Sequence, residues 1–246
     1  MHIDRNRVQA VLDRFKGLDP YQSYYVKDSV PYESVGPLVP ETSAVLRDAF
    51  ARSERVLDVG CGDGRTLLAN ATLFAHGTGI DESEDHMIAL AIQKRDAAGI
   101  QNVDFQFAKS IPLPFDDHAF DMVFSERGPL GRSDDTLREA LRVLQPQGLI
   151  FVETGGDFST LCVEKARFEK QGVRIQTLCA REYTLLFPDF YAYLTYQCAS
   201  WRYSGNDLPS ADDEEGLAQL LIKATDRRRR IIAPYQTIWV GGEKAA

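Results

Sequence analysis

Four cysteines in 246 residues, Cys61, Cys162, Cys179 and Cys198, are too few and too scattered to read as a disulfide framework. No two of them stand as C-x-x-C, so no zinc site is indicated and no metal is expected. No stretch of about 18 apolar residues occurs, so no membrane span is predicted, and the opening MHIDRNRVQA lacks the apolar centre of a secretory signal. Positive charge is also short, with 28 Lys and Arg against 36 Asp and Glu and a formal net charge of −8. A nucleic-acid partner needs a basic footprint, so this balance argues against one. The expectation is a reduced, cytoplasmic protein with no membrane partner, long enough to bury a sizeable core.

The chain is organised around RVLDVGCGDGRTLL, residues 55–68. Val56, Leu57 and Val59 form a short apolar run that suits a strand buried on both faces of a parallel sheet. The run closes on Asp58 and a cluster of Gly60, Gly62 and Gly64, after which Thr66 to Ala69 read as the first turns of a helix. Strand, glycine turn and helix start make a nucleotide-binding corner, because glycine allows tight bends and lets a ligand approach the main chain. A dinucleotide fingerprint would place its third glycine at position 65, which is Arg65; here it comes one place early. With Asp58 two residues ahead of the first glycine, VLDVGCGDG resembles the first motif of the class I S-adenosylmethionine-dependent methyltransferases, and another α/β nucleotide binder is the alternative.

That resemblance carries roles to further positions. Asp81, at the carboxyl end of the second strand HGTGID, matches the residue that accepts hydrogen bonds from the adenosine ribose, with Glu82 beside it; capping the next helix is the plainer role for Asp81. VDFQF reads as a third strand with strict alternation. AKSIPLPFDDHAFDMVFSE then resembles the family's adenine-side turn and fourth strand. The Asp that commonly meets the adenine amino group is replaced by Lys109. Lysine has no acceptor, so backbone groups around Lys109, Ser110 and Ile111 are expected to hold the base. Ser125, Glu126 and Arg127 follow the fourth strand at the edge where ligands of such sheets bind. The resemblance implies that Asp58, Gly60, Cys61, Gly62, Gly64, Ser125 and Glu126 also face the donor, with Cys61 as a small lining residue and no nucleophile. Glu126, Arg127 and Tyr25 are the candidate catalytic residues. L-R-V-L-x-P-x-G, before the fifth strand, also resembles the family, with Gln147 where glycine is usual and Ser133 capping the preceding helix. Residues 157–171 read as a helix, VRIQTLCA as a sixth strand and Tyr235 to about Val240 as the seventh.

Two segments stand outside this pattern. Val8, Val11, Leu12 and Phe15 recur at helical spacing, and a stretch with Tyr21, Tyr24, Tyr25 and Tyr32 among four prolines follows, a surface loop or a lid. Thr42 to Phe50 reads as a helix capped by Thr42 or Ser43. Residues 183–203 hold eight aromatics, either packing an added helix or roofing a substrate pocket. Ser210 is expected to cap a helix with four acids at its start and Arg227 to Arg230 at its end, matching the helix dipole; an RNA or anionic-substrate patch is the alternative for the arginine run.

The resulting expectation is an α/β fold, doubly wound and Rossmann-like. Its sheet is mostly parallel and seven-stranded with helices on both faces, preceded by a helical arm (1–50). An aromatic-rich insertion (182–230) lies in the methyltransferase domain (51–246) before the last strand. The function implied is methyl transfer from S-adenosylmethionine to a small-molecule acceptor. An RNA methyltransferase and a non-catalytic donor-binding protein are the alternatives.

Overall fold

The computed structural model describes residues 3–35, 40–156 and 158–245, without the side chains at 21, 24, 25, 28, 29, 34, 40–43, 158, 234 and 235. The helices are α1 (Arg5–Asp13), α2 (Pro20–Tyr25), α3 (Pro40–Ala51), α4 (Arg65–Asn70), α5 (Ala89–Ala97), α6 (Asp134–Val143), α7 (Phe158–Lys170), α8 (Phe190–Tyr203) and α9 (Glu214–Ala224). The strands are β1 (Glu33–Val35), β2 (Arg55–Val59), β3 (His76–Asp81), β4 (Val103–Phe107), β5 (Phe120–Glu126), β6 (Leu144–Gly155), β7 (Val173–Phe187) and β8 (Ile231–Lys244). The chain divides into two compact units: Met1–Pro37 with Glu182–Tyr235, and Leu38–Arg181 with Gln236–Ala246. Helix α3 therefore belongs to the unit that carries most of the sheet.

The sheet order is β1-β7-β8-β6-β5-β2-β3-β4. The pairs β2–β3, β2–β5, β3–β4 and β5–β6 are parallel, while β6–β8 and β1–β7 are antiparallel. An α/β fold with a mostly parallel sheet is present, but it has eight strands rather than the seven expected. The extra one is β1, three residues long in the Tyr/Pro-rich stretch, where Glu33 faces Leu186 and Val35 faces Thr184. Three residues give no readable alternation, and the pairing depends on β7 running to Phe187, well past the VRIQTLCA expected.

Alternate residues of the inner strands feed opposite faces, as the two-residue strand period requires. Leu57, Val59, Val123, Ile150 and Val152 pack with Leu137, Ala140 and Leu141 of α6 and Phe168 of α7. Val56, Met122, Phe124 and Phe151 pack with Leu46 and Phe50 of α3, Leu67 of α4 and Ala91 of α5. Helices thus cover both faces. Helix α6 starts as expected, with Ser133 Oγ accepting from Thr136 N at 3.2 Å and Asp134 and Asp135 in the first turn. Gln147, where glycine is usual, takes φ +64, so the turn needs the left-handed region that glycine enters most easily.

Residues 127–133 follow β5, and their seat is fixed from α7. The Arg167 guanidinium donates to Ser133 O at 2.8 Å, Leu130 O at 3.0 Å and Glu164 Oε2 at 2.6 Å. Replacing it by alanine leaves Glu164, a buried acid, without its cation. Removing one partner of a fully buried pair costs 3–5 kcal/mol, and this pair is slightly open to solvent, so Arg167→Ala is expected to cost about 2 kcal/mol in urea unfolding.

In the other unit the arm and the insertion share one core. Val8, Val11 and Phe15 bury against Phe187, Phe190, Tyr193 and Leu194. The Tyr32 ring stands edge-on to Tyr196 at 5.8 Å, and Phe187 lies 5.5 Å from Tyr193 and 5.3 Å from Tyr196. These rings pack against one another within that core. Three local expectations are corrected here. The Pro-rich stretch is not only loop, since Pro20 opens the short helix α2 at a position that needs no amide donor. Helix α3 begins at Pro40, ahead of Thr42 and Ser43, whose side chains lie outside the described residues. Helix α9 is capped by Asp213, which accepts from Gly216 N at 2.9 Å, while Ser210 Oγ only accepts from Asp212 N. Because α9 ends at Ala224, Arg227 to Arg230 lie beyond its dipole. They form a turn in which Asp226 Oδ1 accepts from Arg228 N and Arg230 N.

Candidate active site

The carboxyl end of β2 turns through Gly60, Gly62 and Gly64 at φ +80, +54 and +74. The turn is pinned to β3, because Gly60 N and Cys61 N both donate to Ile80 O, at 2.8 and 2.9 Å. It is pinned again by Asp81, whose Oδ2 accepts from Gly62 N at 3.0 Å and whose Oδ1 accepts from Ser83 N at 2.9 Å. A carboxylate oxygen can accept more than one hydrogen bond. A Cβ at Gly60 would stand 2.7 Å from Pro129 Cδ. Backbone conformation and space both demand glycine at this position.

Three carboxylates from the strand ends surround this turn. Asp58 and Asp81 are 3 % exposed, and Glu126 is half-buried. Burial, with the charges of Glu126 and Asp81 added, pushes the Asp58 carboxyl well above the ordinary carboxylate range. Among the described residues none donates a hydrogen bond to it. Glu126 accepts from Thr66 Oγ1 at the start of α4, a close contact across 60 residues of chain. Asp63, in the same turn, has a different role. Burial raises it, but hydrogen bonds from Arg65 and Lys94 outweigh that and hold it below the usual range. It is a structural pair partner.

The other expected residues divide by whether their groups are committed. Ser125 is buried and its hydroxyl donates to Val59 O at 2.6 Å, tying β5 to the glycine corner, so that hydroxyl is taken. Cys61 is buried, and burial with the charges of Asp58 and Asp81 lifts its thiol well above its ordinary value, so it stays protonated and inert. Glu82 Oε1 accepts from Ser110 N at 3.4 Å, which ties the turn after β3 to the turn after β4. Lys109 and Ile111 are exposed beside it. Arg127 takes φ +57 and its amide donates to Glu153 O at 2.8 Å. The Tyr25 side chain lies outside the described residues. No cluster of three or more metal-ligating side chains is found among the described residues.

Glu153 was not anticipated. It ends the apolar run Leu149–Val152, is buried, and faces Glu126 across the β5–β6 pairing. Burial first, then the Glu126 charge, raises its carboxyl, against the pull of Arg127, a hydrogen bond with Thr237 and Arg181. A lone acid closing an apolar strand was the available signal. A raised folded value means that the protonated form suits the fold. Its stabilising share is complete below the ordinary value of 4.5 and is lost as pH rises through the folded value. Glu153→Gln, which keeps an acceptor for Thr237, is therefore expected to unfold at higher urea than the parent near pH 8. The gap should close near pH 4, in paired urea titrations.

Comparisons with known proteins agree with this architecture. The family model described as "Methyltransferase domain" matches residues 51–186, more than half of the chain. Over 174 residues the chain is 30 % identical to a demethylmenaquinone methyltransferase of Clavibacter sepedonicus, covering 68 % of this chain and 63 % of that protein. Over 206 residues it is 27 % identical to the 27-O-demethylrifamycin SV methyltransferase of Amycolatopsis mediterranei, covering 82 % and 72 %. The crystal structure of YcgJ from Bacillus subtilis superposes with a TM-score of 0.64 at 21 % identity, over 84 % of this chain and 99 % of that one. The chain spans about two thirds of the length of the two named relatives. No helix among the described residues is long and apolar enough to cross a membrane. With the family model spanning the glycine corner, the acidic strand ends and the parallel sheet that presents them, the chain belongs to the class I methyltransferase family.

Proposed function

We propose that this protein transfers a methyl group from S-adenosylmethionine to a small organic acceptor. The observation that carries this reading is the acidic strand edge around the glycine turn, where Asp58 is buried beside Asp81 and Glu126 and accepts no hydrogen bond from a described residue. A cationic ligand that also offers donors would relieve that arrangement, and the methyl donor is cationic with an amino group and a ribose. Bound there, the donor supplies a methyl group on a positively charged sulfur, already activated for in-line transfer.

The protein's own residues then have three tasks. Asp58 holds the cationic end of the donor, and Asp81, which also anchors Gly62 N and Ser83 N, accepts from the ribose hydroxyls. Gly60, Gly62 and Gly64 let the ligand reach main-chain amides, and the Ser110 and Ile111 backbone serves the base in place of the acid that Lys109 replaces. Glu126, fixed by Thr66, stands at the edge where the acceptor approaches. Positioning supplies most of the rate in such a transfer, since the leaving group needs no help from an acid. A small acceptor accords with the named relatives, whose acceptors are demethylmenaquinone and a demethylrifamycin, and with a net charge of −8.

Thermal unfolding with S-adenosylmethionine, S-adenosylhomocysteine and NAD tests the reading. At about 100 times its dissociation constant a ligand stabilises by about 2.7 kcal/mol, a shift of roughly 5–10 °C at this chain length. The two sulfur ligands are expected to shift the transition and NAD is not. No shift with either sulfur ligand would sink the proposal.

A further inference from the structure

The unit formed by the arm and the insertion carries an open pocket of about 580 Å³. That volume lies within the range of small-molecule pockets. Its lining is mixed: Phe187, Phe190, Leu221 and Ile231 give an apolar side, and Arg7, Arg229 and Arg230 with Asp4 and Asp189 give a charged one. None of the residues assigned above to the methyl donor is among its lining.

The three arginines are not equivalent. Arg7 is engaged twice: its guanidinium pairs with Asp189 at 2.7 Å and stacks over the Tyr191 ring at 3.7 Å from its centre. Arg230 is engaged by Asp226, with Nε to Oδ2 at 2.9 Å. The Arg229 side chain enters no ion pair or hydrogen bond among the described residues. Its backbone stands at φ +61, in the left-handed region that a long side chain rarely adopts. The acidic lining residues are also committed. Asp189 caps α8 and holds Arg7, and Asp4 caps α1. One positive charge is left over at the exposed edge of this pocket, on a residue whose backbone is held in an unfavourable conformation. A strained backbone at a residue with an uncommitted functional group is a known mark of binding sites.

We propose that this pocket is a second binding site, for a small organic anion with an apolar body, its carboxylate or phosphate meeting Arg229 and its body lying against Phe187, Phe190 and Leu221. Arg7 is already fixed by Asp189 and Tyr191, so it adds a preformed donor with little side-chain freedom left to lose.

Anilinonaphthalene sulfonate, a fluorescent anion with an apolar body, is a suitable reporter on the full-length protein saturated with S-adenosylhomocysteine. Saturable binding at one site is expected, displaced by decanoate or octyl phosphate and not by decanol or inorganic phosphate. Displacement by one of the two amphiphiles alone would identify the headgroup. Arg229→Gly is expected to weaken reporter binding about tenfold, the worth of one charge-assisted hydrogen bond, while Arg229→Lys keeps most of it. The glycine variant suits φ +61, so it should unfold no lower than the parent, and its loss of binding cannot be blamed on misfolding. Equal reporter affinity in the parent and Arg229→Gly would overturn the proposal, as would displacement by decanol as strong as by decanoate.

Discussion

Gly64→Ala is expected to lower stability by about 3 kcal/mol, measured as a drop in the urea midpoint. Two costs combine. Gly64 sits at φ +74 at the start of α4, and the left-handed region costs an L-residue about 1–2 kcal/mol. The added Cβ would also lie 2.7 Å from a Phe105 ring carbon and 3.2 Å from Ala91 Cβ. Both neighbours are buried, so neither can step aside without disturbing the packing of β4 and α5, at about 1–3 kcal/mol for an overfilled core. Gly99 supplies the control. It stands at φ +66 with nothing within 4 Å of its would-be Cβ, so Gly99→Ala should lose only the conformational part, about 1 kcal/mol. Equal losses in the two variants would show that Phe105 leaves room.

Asp81→Ala is expected to weaken S-adenosylhomocysteine binding about a hundredfold, read by titration calorimetry. On the proposed reading the ribose loses its acceptor, and a hydrogen bond to a charged group contributes about 1.5–3 kcal/mol. The same change also removes the acceptor for Gly62 N and Ser83 N, so the ligand-free protein should lose about 2 kcal/mol as the glycine turn loosens. Asp81→Asn separates the two effects poorly, because its amide nitrogen would face one of those backbone donors. Gly62→Ala is the useful comparison: it strains the turn at φ +54 but leaves the carboxylate. An Asp81→Ala protein that binds the ligand as tightly as the parent would remove Asp81 from the site.

Much of this was readable in the sequence wherever the signal was local. VLDVGCGDG announces a strand followed by a turn, because burial on both faces and three left-handed positions each leave a mark in consecutive residues. Ser133 and the acids after it announce the start of α6 for the same reason. What escaped depends on partners distant in the chain. Glu153 matters through Glu126 on the adjacent strand, a register no single segment encodes. The Ser125 hydroxyl, expected near the donor, is committed to Val59 O, a partner 66 residues away. Strand β7 outran its expected length because pairing with β1, not an apolar pattern, carries it to Phe187: much of β7 is only half-buried. At α9 two capping residues stood three apart, and the aspartate nearest the first helical turn won.

The arm's dependence on the insertion has a consequence for how the chain is made. The Asp4 amide meets the Tyr191 hydroxyl across 187 residues, and Val8, Val11 and Phe15 find their cover on α8. A ribosome adding about 5–20 residues per second needs roughly 10–40 seconds to bring α8 out after the arm has emerged. Throughout that interval α1 displays its apolar stripe to solvent without its α8 cover, while the strands of the other unit are already being made. Helix α1 is thus made well before it can mature, and over that interval its stripe is open to aggregation and to chaperones.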